Sequence, residues 1–322
     1  MKTAGAFLIL FFIGLQIKAM VYDYDIHLPP IIQNYVQALR QNSKAVGASK
    51  CASLYHPMIQ DGVLDIRYAF GYFDDSIGKP SIVNGINYGI SPSLDIAAFA
   101  SLRGVISGPC QYPNHRLCGF YEIGNVNSGK LVFEKTLPIQ NQNTLVRITM
   151  TFASASESYL ENIGRSAHIQ KYLSEQSEDN FFGGLEVADV VFYNGHSRDG
   201  GGPDFHPPIL NRYKKTDYKG YYQIQRPGIR RTLESLSQNP NPGFILGLFS
   251  CYSRSHFYKS LMNQNPHQRM ILSADTIDYF DSMKASIGYL EALLRGQCGQ
   301  DMANTAKKGE KIRRGFQQYQ VN

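Results

Sequence analysis

The stretch ADVVFYNGHSRDGGGPDF, Ala188–Phe205, decides how the chain is read. Its first half, Ala188–Gly195, is apolar at consecutive positions, the pattern of a strand covered on both faces. Its second half opens on Gly195-His196-Ser197 and runs into a glycine-rich loop. Three further runs share the texture: LVRITMTFA (Leu145–Ala153), FILGLFSC (Phe244–Cys251) and RMILSADT (Arg269–Thr276). Helical spacing is expected over 156–176, 228–238, 253–263 and 277–295. Doubly covered strands alternating with helices imply crossover connections, hence an α/β fold with a mainly parallel sheet and helices on both faces. Such sheets carry chemistry outside the carboxyl ends of their strands. The sequence places residues 154–157, His196, Cys251 and Asp275 there.

Upstream the texture differs. Pro29–Val46 reads as a helix starting at the Pro-Pro pair, Gly62–Phe73 alternates like a strand, and Ser91–Ile106 is a helix with a serine cap. Cys118–Leu137 reads as two strands around an Asn-Ser-Gly turn. A smaller α+β domain over 20–142 is therefore expected, bounded by the polar Pro138–Thr144, before an α/β domain over 143–300. A basic tail follows over 301–322, its Lys307–Gln320 stretch read as a solvated helix end.

Residues 1–19 have a lysine near the start and a short apolar block, Ala6–Leu15, the layout of a cleaved secretory signal. Cleavage after Ala19 would put Ile17 at the outer small-residue position, which is not ideal. The block is too short to anchor the chain in a membrane. A secreted or periplasmic protein is expected. The 43% hydrophobic and 18% charged composition is that of an ordinary globular chain. Its formal charge of +6 reads as thinly spread and forms no nucleic-acid recognition pattern. No cofactor motif is present.

Export bears on the five cysteines, Cys51, Cys110, Cys118, Cys251 and Cys298. In an oxidising compartment four can pair and one is left over. Cys110 and Cys118 bracket a Pro/Asn turn short enough for a local disulfide, and Cys51 with Cys298 is the default second pair, although four cysteines allow three connectivities.

Two nucleophiles compete. Ser197 satisfies the first half of a Gly-x-Ser-x-Gly elbow, but position 199 is Asp, a glycine loop replaces the required helix, and no histidine follows a convincing strand-end acid. Cys251 ends an apolar run just before a helix, where the free N–H groups and positive end of the dipole favour a thiolate. His196 closes the preceding strand 55 residues upstream, so the two side chains can meet across one sheet edge.

These strand ends, VVFYNGHS and ILGLFSC, resemble the caspase-like cysteine peptidases: caspases, legumains, gingipains and clostripain. The resemblance covers about residues 144–296. It implies a dyad without an obligatory carboxylate, in which Cys251 attacks the scissile carbonyl of a peptide or protein substrate and His196 protonates the leaving amine. Backbone N–H groups of Ser197 and Cys251 would hold the oxyanion. The chain departs from that family in having Ser197 where glycine follows the histidine, and Phe249-Ser250-Cys251-Tyr252-Ser253 in place of Gln-Ala-Cys-x-Gly. The match is thus to the wider fold, not to caspases proper.

The resemblance also assigns a substrate pocket by position to Ser156, Glu157 and Asp275, where an acid would favour an Arg or Lys side chain. Gly200, Gly201 and Gly202, flanked by Arg198 and Asp199, are expected to let a bound chain approach the backbone. The rival readings are a caspase-like scaffold that binds without cleaving, a serine hydrolase at Ser197, and a metal hydrolase using His196, Asp199, Asp204 and His206. The first domain shows no identifiable chemistry.

Overall fold

The structure is a computed structural model that describes residues 23–41, 50–73, 82–83, 86–87, 93–112, 115–154, 167–207, 209, 211–213, 217–239, 243–307 and 316–319. The strands are β1 (Val63–Phe70), β2 (Ile82–Val83), β3 (Ile86–Asn87), β4 (Tyr121–Asn125), β5 (Lys130–Ile139), β6 (Gln142–Phe152), β7 (Val190–Asn194), β8 (Ile245–Phe249), β9 (Arg269–Ser273) and β10 (Phe316–Tyr319). The helices are α1 (Asp23–Gln41), α2 (Ala52–Ile59), α3 (Ser93–Ser107), α4 (Ala167–Val187), α5 (Pro227–Gln238), α6 (Ser253–Gln264), α7 (Tyr279–Leu294) and α8 (Gly299–Lys307).

Strands β2 and β3 form a small ribbon; the other eight make one sheet in the order β10-β9-β8-β7-β1-β6-β5-β4. The five central strands, β9 to β6, are parallel, while β10, β5 and β4 run antiparallel to their neighbours. Side chains alternate across the sheet as the strand period requires. Leu64, Ile66, Tyr68, Phe70, Phe192, Ile245 and Phe249 belong to the core shared with α1, α2, α3, α7 and α8. Val191, Tyr193, Leu246, Leu248, Met270 and Leu272 belong to the core shared with α4, α5 and α6. Helices on both faces explain the continuous apolar runs, each such buried side chain contributing roughly 1.5–3 kcal/mol.

All four apolar runs and the helices near 228, 253 and 277 form where expected. The proposed domain boundary does not separate two bodies. Residues 140–141 are the turn of the β5–β6 hairpin, which pairs out to Ile139 and Gln142. Strand β1, assigned to the first domain, lies between β6 and β7 at the centre of the sheet.

Three elements differ from expectation. Helix α1 begins at Asp23 and carries Pro29 and Pro30 inside it. Prolines lack the donors for two helical bonds, so the pair marks a weak point in the helix, not its start. The helix expected over 156–176 is described over Ala167–Val187, and residues 155–166 lie outside the described residues. Part of the basic tail is structured, with Phe316–Tyr319 adding an edge strand to β9.

Two disulfides close the chain. Cys51–Cys298 ties the residue before α2 to the residue before α8, and Cys110–Cys118 closes the loop between α3 and β4. Both fit an extracellular or periplasmic protein. Among the described residues no helix is long and apolar enough to cross a membrane. Residues 1–19, read as a secretory signal, lie outside the described residues.

Candidate functional site

Strands β7 and β8 pair in parallel with Asn194 opposite Phe249. His196 and Cys251 each follow two residues beyond that pair, on strands about 4.8 Å apart. A buried polar network locks these strand ends. Ser282 Oγ, on the first turn of α7, donates to Phe249 O (2.8 Å) and to Asn194 Oδ1. Asn194 Nδ2 donates to Tyr68 Oη (2.5 Å) and Ser286 Oγ (2.9 Å). Burial pushes the Tyr68 phenol far up, so it stays neutral. Sequence reasoning missed these residues. Their signal was an asparagine closing an apolar run, and two serines four apart on one face of a helix.

Cys251 is the one free cysteine and is partly exposed. The chain turns sharply there: Tyr252 is left-handed at φ 49° and caps α6. Its amide donates to Asp275 O (2.9 Å). Ser253 Oγ braces the turn, donating to Leu248 O (2.8 Å) and accepting from the Ser273 amide (2.8 Å). The thiol therefore sits at the start of α6, as expected, and Sγ donates to Ile277 O at 3.3 Å.

His196 is half-buried, its ring edge-on to Tyr72 (6.4 Å) and Phe73 (6.1 Å), which follow β1. The sheet order reverses direction between β1 and β7, and a crevice at such a switch point is the usual ligand site of a parallel sheet. Tyr193 Oη fixes the loop, donating to His196 O (3.0 Å) and accepting from the Asp204 amide (3.0 Å). Beyond it, Arg198 and Asp199 are both left-handed, at φ 48° and 49°, a conformation that non-glycine residues rarely adopt. A buried ion pair offsets that strain: Arg198 Nε meets Asp204 Oδ2 at 3.0 Å, with the two side chains 5% and 9% exposed. Tyr72 Oη (3.1 Å) and Tyr222 Oη (2.8 Å) donate to the same carboxylate, and the guanidinium lies over both rings. Burial, then the Asp204 charge, pushes the Tyr222 phenol up, which keeps it a donor.

The remaining sequence-predicted residues are distributed differently. Ser156 and Glu157 lie outside the described residues. The Asp275 carboxylate accepts from the Thr276 amide (2.8 Å), a local turn cap behind the Cys251 turn. Asp199 is exposed and accepts from Gln223 Nε2 (3.4 Å). The glycines were expected to admit a bound chain, but the chain itself fills that space. A Cβ on Gly200 would meet Arg226 and His256 (both 3.1 Å), one on Gly201 would strike Tyr222 O, and one on Gly202 would lie 2.8 Å from His196 O.

Ser197 is buried, and its carbonyl accepts from the Gly200 (3.0 Å) and Gly202 (2.9 Å) amides. Only a three-residue 3-10 turn, Arg198–Gly200, follows it, in place of the α-helix that a serine nucleophile's elbow needs. The rival metal set is divided. Asp204 is engaged by Arg198, and His206 Nε2 pairs with Glu178 Oε2 (2.7 Å), whose other oxygen meets Arg231 Nη1 (2.5 Å). Burial lowers the His206 pKa, but the Glu178 bond and charge outweigh it and hold the imidazole above its ordinary value. Among the described residues no three His, Cys, Asp or Glu side chains gather to hold a metal ion.

No family model, curated protein or solved structure matches this chain.

Proposed function

We propose that the chain is an exported caspase-like cysteine peptidase acting through Cys251 and His196. The observation that supports this most is their placement at the carboxyl ends of neighbouring parallel strands, paired up to Asn194 and Phe249, with Cys251 the one cysteine outside a disulfide. In the reaction, Cys251 Sγ loses its proton to His196 and bonds to the scissile carbonyl carbon. The carbon–nitrogen bond breaks and His196 passes the proton to the departing amine. Water, deprotonated by His196, then releases the acyl group from sulfur. Amides of Ser197 and Cys251 are the oxyanion donors in this reading. Tyr72 and Phe73 form the apolar wall beside the histidine.

Incubating the full chain with a mixed peptide library and mapping new termini by mass spectrometry tests the proposal. Wild-type protein is expected to cleave, and Cys251→Ala is expected to lose at least about a thousandfold in rate while keeping its melting temperature. Cleavage by Cys251→Ala at the wild-type rate would overturn it.

A second reading, a scaffold that binds polypeptide at this rim without cutting it, draws on the contact from Cys251 Sγ to Ile277 O (3.3 Å), which turns the sulfur to the α7 side of the strand end. It expects captured, uncut peptides from wild type and Cys251→Ala alike.

A further inference from the structure

Residues 209–231 contain seven Lys or Arg and one Asp, a net +6 equal to the formal charge of the whole chain. Lys214 and Lys215 among them lie outside the described residues. The rest of the sequence sums to zero, the net +3 of the tail over 301–322 being balanced by acids elsewhere. The last residues of the segment, 227–231, open α5, and ahead of them it forms a wide π-type helix, Tyr218–Gln225, which the Arg226 amide closes onto Tyr221 O (2.9 Å). Such helices are rare and recur near functional sites.

The segment is anchored to the loop that carries His196. Tyr222 is buried, its backbone against Gly201 and its hydroxyl on Asp204. Arg226 Nε donates to Gly200 O (3.0 Å) and Nη2 to His256 O (3.4 Å). Arg212, Lys219 and Arg230 are exposed, and among the described residues none of the three meets a carboxylate. Beside them stand exposed aliphatic groups, Ile209 at 52% and Ile224 at 61%.

We propose that this arm is a docking surface for an acidic segment of a polypeptide partner, guiding it to the His196–Cys251 rim; the proposal rests on reading that rim as a peptide site. Charge complementarity names the acid. The rings argue against single-stranded nucleic acid, which stacks its bases on free aromatic faces. Tyr218 and Tyr221 are instead turned onto Tyr222 (5.5 and 4.9 Å), and Arg212 covers Tyr213 (4.7 Å). Exposed aliphatic groups between cations suit a chain of mixed acidic and apolar residues.

The test uses full-length Cys251→Ala protein and fluorescence anisotropy. The probes are a labelled peptide of about twelve residues alternating Glu with Ala or Leu, its Gln counterpart, and a labelled RNA of similar length. The Glu peptide is expected to bind in preference to the Gln peptide and to weaken about tenfold in the Arg212→Gln/Lys219→Gln/Arg230→Gln variant. Raising salt from about 50 to about 500 mM should weaken it further. Equal binding of the two peptides, or an unchanged affinity in the triple variant, would overturn the proposal, as would RNA binding more tightly than the Glu peptide. Cleavage of neutral peptides by the wild-type chain is scored separately. Loss of that activity alone removes the peptidase reading, whereas loss of acid-selective binding alone removes the docking surface.

Discussion

Asp204 shows how much one residue can organise. In the sequence it stood out only as a member of the rival metal set, because an Asp near two histidines in a loop suggests coordination. In the structure its carboxylate accepts from Arg198, Tyr72 and Tyr222, binding together the end of β1, the left-handed turn after His196 and the basic arm. Sequence could not reveal this, because two of the three partners are brought in by distant segments. Cys251 and His196 were legible for the opposite reason: each follows its own apolar run, and strand ends mark themselves locally. Removing one partner of a buried pair leaves the other charge uncompensated. Asp204→Ala is therefore expected to lower stability by about 3 kcal/mol in denaturant unfolding. A loss under about 0.5 kcal/mol would show that the cluster does not hold the loop.

At the level of elements, β1 was recognised as a strand but its central position was not. Asp65 and Arg67 give it the alternation of a half-exposed strand. The two instead pair with each other, Arg67 Nη2 on Asp65 Oδ2 at 2.7 Å, and the Arg67 stem lies under Gly184 of α4, where a Cβ would come within 2.7 Å of it. Helix α4 was displaced in the reading because its buried stripe includes Ser174, Ser177 and Asn180. These donate to Ser154 O, Phe70 O and Thr149 O at the ends of β6 and β1 and within β6. With these polar groups interleaved among Leu173, Phe181, Phe182 and Leu185, the apolar periodicity of the buried face is broken.

The opposite rim offers a pH test of the strand packing. Asp189 precedes β7 and accepts from the Asp65 amide (2.9 Å). Burial, with the charges of Asp61 and Asp65 and against that hydrogen bond, pushes its pKa to about 7. The folded state therefore holds this proton more tightly than the unfolded chain, whose Asp titrates near 4. Stability falls as pH rises from about 4 to about 7, and the full cost is present above that window. Asp189→Asn keeps an acceptor and removes the titration. Its melting temperature is expected to exceed that of wild type increasingly from about pH 5 to about pH 8. Parallel curves across that range would contradict the assignment.

For the whole molecule, the class was legible and the partition was not. Alternating apolar runs and helices gave an α/β chain with a largely parallel sheet, and the turn-flanked cysteines gave the local disulfide. The expected two domains share one sheet, because β1 pairs with β6, about eighty residues away, and no local pattern encodes which parallel partner a strand takes. That pairing creates the switch point beside His196, and the disulfide between Cys51 and Cys298, 247 residues apart, fastens the α2 and α8 segments on the α7 face of the sheet. Everything proposed for function depends on His196 and Cys251 acting as a pair across β7 and β8. The most direct measurement is the rate at which iodoacetamide alkylates Cys251 at neutral pH in the wild-type chain and in His196→Ala, with matched melting temperatures. The dyad predicts a rate at least about tenfold slower without the imidazole; equal rates in the two proteins would contradict it.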